Sequence, residues 1–231
     1  MKEREFVGNC KCCGAKVELD MGKEDFDFNA FNLTAYKKYK EFDVSRCEHC
    51  DYVSDNILTD EAPDVVHEVI SSADYQFVLG YEYILGEGEF DEWEYELSAF
   101  NANEFEAYAL ILDALGDYEN EIRALSRCVE LKRKLIRRLK KIANEEYGDE
   151  DYFDEVDKIC KLLELSINMN NEQIVEIYAD IKTPNKFSEL IYVEALAGLG
   201  EAEIAQAKLE NISQNKQLPQ DISDYFKSII K

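Results

Sequence analysis

Two short cysteine pairs constrain this chain more than any other feature. Cys10-Lys11-Cys12-Cys13 and Cys47-Glu48-His49-Cys50 each contain a C-x-x-C interval, and residues 14–46 separate them. A C-x-x-C turn lets two thiolates converge on one ion while backbone N–H groups face the sulfurs. Two such turns complete a tetrahedral shell of four thiolates. Cys10, Cys13, Cys47 and Cys50 are therefore the candidate metal ligands. Cys12 is left over, because using it would give a C-x-C or an adjacent pair, both poorer intervals for this turn. Seven cysteines suit a disulfide framework badly, whereas paired thiolate spacing suits a metal, structural Zn²⁺ first and iron second. A closed thiolate shell has no open position for water, so no catalysis is expected at the metal. His49, inside the second turn, is expected to face solvent.

The flanking residues support the same reading. Gly14 follows the first pair, where the chain often needs a positive φ. Asp51 holds the equivalent place after the second, and Asp is one of the few other residues that tolerate the left-handed region. Ala15 to Leu19 alternates in a strand-like way, Phe42 to Ser45 leads into the second turn, and Asp51 to Val53 leads out. This is the outline of a zinc ribbon over residues 1–60, two knuckles carried on short antiparallel strands. Phe26, Phe28, Phe31, Tyr36 and Tyr39 lie between the knuckles and are expected to form a small core or to dock onto the rest of the chain. A base-stacking platform is the weaker reading of those rings.

Beyond Pro63 the apolar period changes from 2 to about 3.6, and residues 61–231 read as helical. Val65, Val66, Val69 and Ile70 start a helical face that Tyr75, Val78, Leu79 and Tyr83 extend or resume, with His67 on its flank. A helix through Phe105, Tyr108, Ala109 and Leu112 ends at Gly116, a natural C′ residue. Asp117 then caps a second helix striped by Ile122, Leu125, Cys128, Val129, Leu131, Leu135, Leu139 and Ile142. Glu194 to Ala205 repeats the helix, glycine turn, helix pattern around Gly200. Helices are expected near 152–168 and 171–182, a break at Thr183-Pro184-Asn185, and a last helix over 220–230 with Ile222, Phe226, Ile229 and Ile230 on one face. Cys128 and Cys160 fall on apolar stripes and read as small core residues. Lys132, Arg133, Lys134, Arg137, Arg138, Lys140 and Lys141 read as cations near a helix C-terminus, suited to its dipole. A patch for an acidic or phosphorylated partner is the alternative. The acidic run Glu87 to Glu96, around Trp93, reads as a solvated face.

A helix, a Gly-Asp-Tyr turn and a returning helix resemble a tetratricopeptide repeat at Phe105, Ala109, Leu112, Gly116, Tyr118 and Leu125, with Glu121 where that repeat usually has alanine. The spacing from Gly116 to Gly200 is not a multiple of that repeat's length of about 34 residues, so the array is irregular. A Cys₄ ribbon followed by such helices resembles a bacterial family of unknown function that pairs two C-P-x-C-G knuckles with a tetratricopeptide-like helical domain. The resemblance covers the domain order and the four ligands Cys10, Cys13, Cys47 and Cys50. It departs at Lys11 and Glu48, which stand for the knuckle prolines, and at Asp51, which stands for glycine. The family lends an architecture and no activity. The expected fold class is thus mainly α, with a small N-terminal zinc ribbon of short antiparallel strands and an irregular tetratricopeptide-like stack.

Composition narrows the function. The net charge of −24 opposes nucleic acid or an anionic membrane as main partner, since both are bound by neutralising phosphates with Lys and Arg. No apolar run approaches the roughly 20 residues that span a bilayer, and residues 1–6 lack a signal core, so a cytoplasmic protein is expected. Two histidines, and neither a Gly-rich phosphate loop nor a Ser-His-Asp order, argue against an enzyme. The leading expectation is a non-catalytic zinc protein whose helices offer a concave surface to a protein partner. The alternatives are a thiol redox sensor acting through Cys12 and an accessory nucleic-acid-binding factor.

Overall fold

The computed structural model describes residues 5–20, 31–58, 62–80, 102–146, 150–216 and 218–230. The chain is mainly helical, with two small antiparallel sheets of two strands each near the N-terminus and a helical stack after them. Strand β1 (Glu5–Asn9) pairs with β2 (Lys16–Asp20) so that Phe6 lies opposite Leu19 and Gly8 opposite Val17. Strand β3 (Ser45–Arg46) pairs with β4 (Val53–Ser54). Each hairpin carries one cysteine pair at its turn, as the spacing predicts.

A helix not anticipated from the sequence lies between the two sheets. Helix α1 (Leu33–Lys40) starts at Asn32, whose side chain accepts from the Ala35 N–H at 2.8 Å, and ends with Lys37, Lys38 and Lys40 in its last turn. The cap satisfies a first-turn N–H, and the lysines suit the C-terminal end of the helix dipole. The expected docking of the intervening aromatics is realised by Phe31, Tyr36 and Tyr39, which pack against Phe187, Tyr225 and Phe226 near the other end of the chain. Phe26 and Phe28 lie outside the described residues.

The face begun at Val65 is split into two short helices, α2 (Asp64–Ile70) and α3 (Ala73–Gly80). Serines mark the break: the Ser71 hydroxyl donates to the His67 carbonyl at 2.9 Å, and the Ser72 hydroxyl accepts from the Tyr75 N–H at 3.2 Å. These local bonds compete with helix continuation. Tyr83, Trp93 and the acidic run Glu87 to Glu96 lie outside the described residues.

Helix α4 (Ala102–Leu115) ends at Gly116, with φ of 69°, and Asp117 caps α5 (Tyr118–Glu146) by accepting from the Asn120 N–H at 3.4 Å. Of the expected α5 stripe, the seven residues from Ile122 to Leu139 are buried, and the Ile142 side chain lies outside the description. Glu121 is buried too, with one carboxylate oxygen unpaired; burial, then Asp113 and Asp117, push its pKa up to about 8.

Two sequence expectations are corrected here. The segments near 152–168 and 171–182 form one helix, α6 (Glu150–Tyr178). The Asn-rich stretch 168–171 suggests a break by propensity, but Asn170 and Asn171 are buried, and Asn170 accepts from the Lys132 ammonium at 3.0 Å. Packing overrides the local preference. The basic run is not at a helix end, since α5 continues to Glu146 with no basic residue in its last turn. Lys132 is instead buried against Glu106, Ser166 and Asn170, and Lys134 pairs with Glu130.

Asn185 caps α7 (Lys186–Gly198), accepting from the N–H groups of Phe187 and Ser188 at 2.7 and 2.9 Å. Gly200, with φ of 80°, turns the chain into α8 (Ala202–Lys216), and α9 (Gln220–Ile229) buries Ile222 and Phe226 completely. One buried cluster runs from Cys10, Tyr36 and Cys47 through Leu112 and Ile122 to Leu190 and Phe226. A second joins Val129, Leu135 and Leu139 of α5 to Val156, Cys160 and Leu163 of α6. Each fully buried large side chain stabilises by about 1.5–3 kcal/mol. Among the described residues, no helix is long and apolar enough to cross a membrane.

Candidate metal centre

The two hairpin turns are built on one backbone plan. In the first, the Cys10 N–H donates to the Ala15 carbonyl at 2.8 Å and the Gly14 N–H donates to the Cys10 carbonyl at 2.7 Å. In the second, the Cys47 N–H donates to the Tyr52 carbonyl at 2.9 Å and the Asp51 N–H to the Cys47 carbonyl at 2.8 Å. Residue for residue, 10–15 matches 47–52. The fifth position of each takes the left-handed region, Gly14 at φ of 76° and Asp51 at 62°. Asp51 is the one non-glycine residue with positive φ among the described residues, and it stands where the spacing requires one.

The plan brings the four predicted sulfurs together. The Sγ atoms of Cys10, Cys13, Cys47 and Cys50 all lie within 4.8 Å of one another, and among the described residues this is the one group of metal-ligating side chains so arranged. Cys10 Sγ lies 3.9 Å from Cys50 Sγ, and Cys13 Sγ lies 3.8 Å from Cys47 Sγ. A tetrahedron with metal–sulfur bonds of about 2.3 Å has edges of about 3.8 Å. The thiols are free, so these are contacts between hairpins and not disulfides. Cys10 and Cys47 are buried, at 1% and 0% exposure, whereas Cys13 is exposed and Cys50 half-buried. The four sulfurs can hold a metal ion.

The backbone also prepares the sulfurs for negative charge. The Ala15 N–H faces the Cys13 sulfur and lowers that thiol's pKa. Burial raises the Cys10 thiol, opposed by the N–H groups of Cys13 and Cys12, and burial raises the Cys50 thiol, opposed by the Tyr52 N–H. Thiols crowded and buried in this way resist ionising as a group unless a cation shares the site.

Cys12 stands outside the four, as spacing predicts. Its sulfur lies 3.6 Å from His67 Nδ1, and burial raises its pKa. His49 occupies the matching position in the second turn and is exposed, so it faces solvent as expected. The second turn is further braced: the Arg46 guanidinium grips Asp51 Oδ1 from Nε at 3.1 Å and Nη2 at 2.9 Å, and the buried Tyr75 hydroxyl donates to the Asp51 carbonyl at 2.7 Å.

One polar cluster was not picked out by sequence reasoning. Glu194 of α7 accepts from the hydroxyl of Tyr36 and from Lys40 Nζ at 2.7 Å, which locks α1 to the helical stack. Its signal is a single carboxylate set among Leu190, Ile191, Val193, Ala195 and Leu196, all of which are buried. Comparison with family models, curated proteins and solved structures finds no match for this chain.

Proposed function

We propose that the four thiolates hold one structural Zn²⁺ ion, and that the helical stack stabilised next to it serves as a non-catalytic binding scaffold for a protein partner. The convergence of Cys10, Cys13, Cys47 and Cys50 at sulfur spacings of 3.8 and 3.9 Å carries the metal reading. Four soft thiolates in a tetrahedral arrangement favour zinc, and a shell closed by protein ligands favours structure over catalysis. Structural zinc contributes on the order of 10–16 kcal/mol of apparent binding free energy, which becomes folding energy for the segments it joins.

The partner reading draws support from α6. Leu162, Leu165 and Met169 lie at i, i+3 and i+7 of that helix and are 44%, 59% and 56% exposed, an apolar stripe of the kind protein partners cover. The net charge of −24 favours a protein over a nucleic acid in a cytoplasmic setting. The redox-sensor alternative would act through Cys12, and the burial that raises that thiol works against it.

Elemental analysis of protein purified without chelators tests the metal. One zinc per chain is expected; a stoichiometry near zero, or iron in its place, sinks the zinc reading. The scaffold is tested by affinity capture with wild type and Leu165→Glu. Recovery of the same proteins by both would remove the α6 stripe from the proposal.

A further inference from the structure

Of the nine large apolar side chains exposed among the described residues, three share one face of α6: Leu162, Leu165 and Met169. The opposite face of that helix carries Val156, Cys160, Leu163 and Ile167, which are buried against α5. The exposed face is longer than its three apolar residues. Positions 158, 162, 165, 169, 172 and 176 are all exposed, and they follow one another at alternating intervals of four and three. That spacing is the heptad seam along which one helix packs on another.

The seam is also ordered by charge. Lys158 stands at its N-terminal end, Leu162, Leu165 and Met169 fill the middle, and Glu172 and Glu176 stand at its C-terminal end. Asp154 and Asp157 lie outside the seam, and Asp157 holds Lys161 at 2.6 Å. Lys158, Glu172 and Glu176 form no ion pair among the described residues. A helix of the same sequence laid antiparallel supplies the reverse order. With Leu165 set against Met169 of the second copy, Lys158 comes opposite Glu176 of that copy, and Leu162 lies on the stem of its Glu172. A two-fold axis repeats each of these contacts. A parallel pair would instead set lysine on lysine and glutamate on glutamate. This local balance matters, because two chains of net charge −24 repel wherever uniformly acidic faces meet.

We propose that the partner covering the α6 seam is a second copy of this chain, packed antiparallel as a symmetric dimer. The inference rests on the reading of α6 as a partner-covered face and names the occupant. From Lys158 to Glu176 the seam is about 27 Å long. An interface this short gives a weak dimer, with a dissociation constant on the order of 10 μM. Sedimentation equilibrium of the full chain over a concentration series tests it. Leu165→Glu is expected to weaken the dimer by about a hundredfold or more, since it sets a charge on the apolar centre of the seam. Lys158→Glu and Glu176→Lys are each expected to weaken it by about tenfold, because each turns two attractive pairs per dimer into repulsive ones. Mixing those two variants is expected to restore association to the wild-type level, each chain supplying the charge the other lacks. A merely structural defect is not rescued by mixing. All three sites are exposed, so an unchanged circular dichroism spectrum is expected of every variant. The proposal is overturned if wild type is still monomeric at about 1 mM, if the dimer survives Leu165→Glu, or if mixing restores nothing. A monomer that captures a different protein through Leu165 removes only the second copy and leaves the partner-covered face standing. Capture that Leu165→Glu does not alter removes that face as well.

Discussion

The two cysteine turns share a backbone and differ in what holds them. The first is held more lightly: the Lys11 N–H donates to the Ile57 carbonyl at 3.1 Å, but Gly14 has nothing within 4 Å of where a side chain would start, and Cys13 is exposed. The second is braced from two sides, by Arg46 on the Asp51 carboxylate and by Tyr75 on the Asp51 carbonyl, and it leads into the buried run Tyr52, Val53 and Ser54. One geometry is thus reached in two ways. Glycine removes the steric penalty of the left-handed position, while Asp accepts it and recovers energy through side-chain and backbone partners. The first turn is therefore expected to depend on a bound metal more than the second does.

The largest test breaks both turns at once. Cys47→Ser removes a completely buried ligand and is expected to abolish metal binding and most of the stability that metal contributes, about 10 kcal/mol on the apparent scale. Cys10, Cys47, Tyr36 and Phe226 belong to one buried cluster, so the thermal unfolding of α1 and of its contacts with α7 and α9 is expected to weaken along with the ribbon. Circular dichroism and metal analysis of the same sample check this. Hydrogen exchange after chelation sharpens the comparison: amides 10–15 are expected to lose protection before amides 47–52. Equal loss would mean that Arg46 and Tyr75 do not hold the second turn.

Next in size is Tyr75→Phe, which leaves the Asp51 carbonyl without its donor and is expected to destabilise the protein by about 1–3 kcal/mol. The first turn's counterpart is a backbone bond, from the Lys11 N–H to the Ile57 carbonyl at 3.1 Å. Denaturant unfolding gives the value, and a change within error would remove the brace from the argument.

How much of this was legible in the sequence follows from the range of each interaction. The four ligands, the positive φ at Gly14 and Asp51, and the turns at Gly116 and Gly200 are written in local spacing, and each appears where spacing places it. Helix α1 carries a local signal as well, Asn32 before an apolar Ala35, Tyr36 and Tyr39 face, but at 8 residues it is too short to stand on propensity alone. It is held by Glu194, some 150 residues away along the chain. The unbroken α6 and the buried Lys132 have the same origin: Asn170 and Lys132 satisfy each other across two helices, and neither residue alone announces that. Arg46 and Tyr75 likewise show their roles only once the second turn has folded.

A smaller pair of substitutions isolates the left-handed position itself. Gly14→Ala places a Cβ in a conformation that costs about 1–2 kcal/mol, with no steric contact to add to it. Asp51→Gly removes that strain but also the Arg46 bridge, about 0–1 kcal/mol for a partly exposed pair, so the two changes nearly cancel. Wild type and Asp51→Gly are expected to melt close together, with Gly14→Ala below both. If Asp51→Gly melts well below wild type, the Arg46 bridge contributes more than the strain it offsets.

The smallest expected effect concerns the matching third positions, Cys12 and His49. Cys12 sits outside the metal group, and its sulfur meets His67 Nδ1 at 3.6 Å, a weak contact for a thiol. Cys12→Ser is expected to keep the full metal content and to shift stability by less than about 0.5 kcal/mol, as for a substitution away from the structural contacts. Under mild peroxide the variant should also lose zinc at the wild-type rate, because the exposed Cys13 gives an oxidant a more direct route to the cluster than the half-buried Cys12 does. A markedly slower release from Cys12→Ser would reverse that assignment. It would make Cys12, rather than Cys13, the thiol of the first turn at which oxidation opens the metal site.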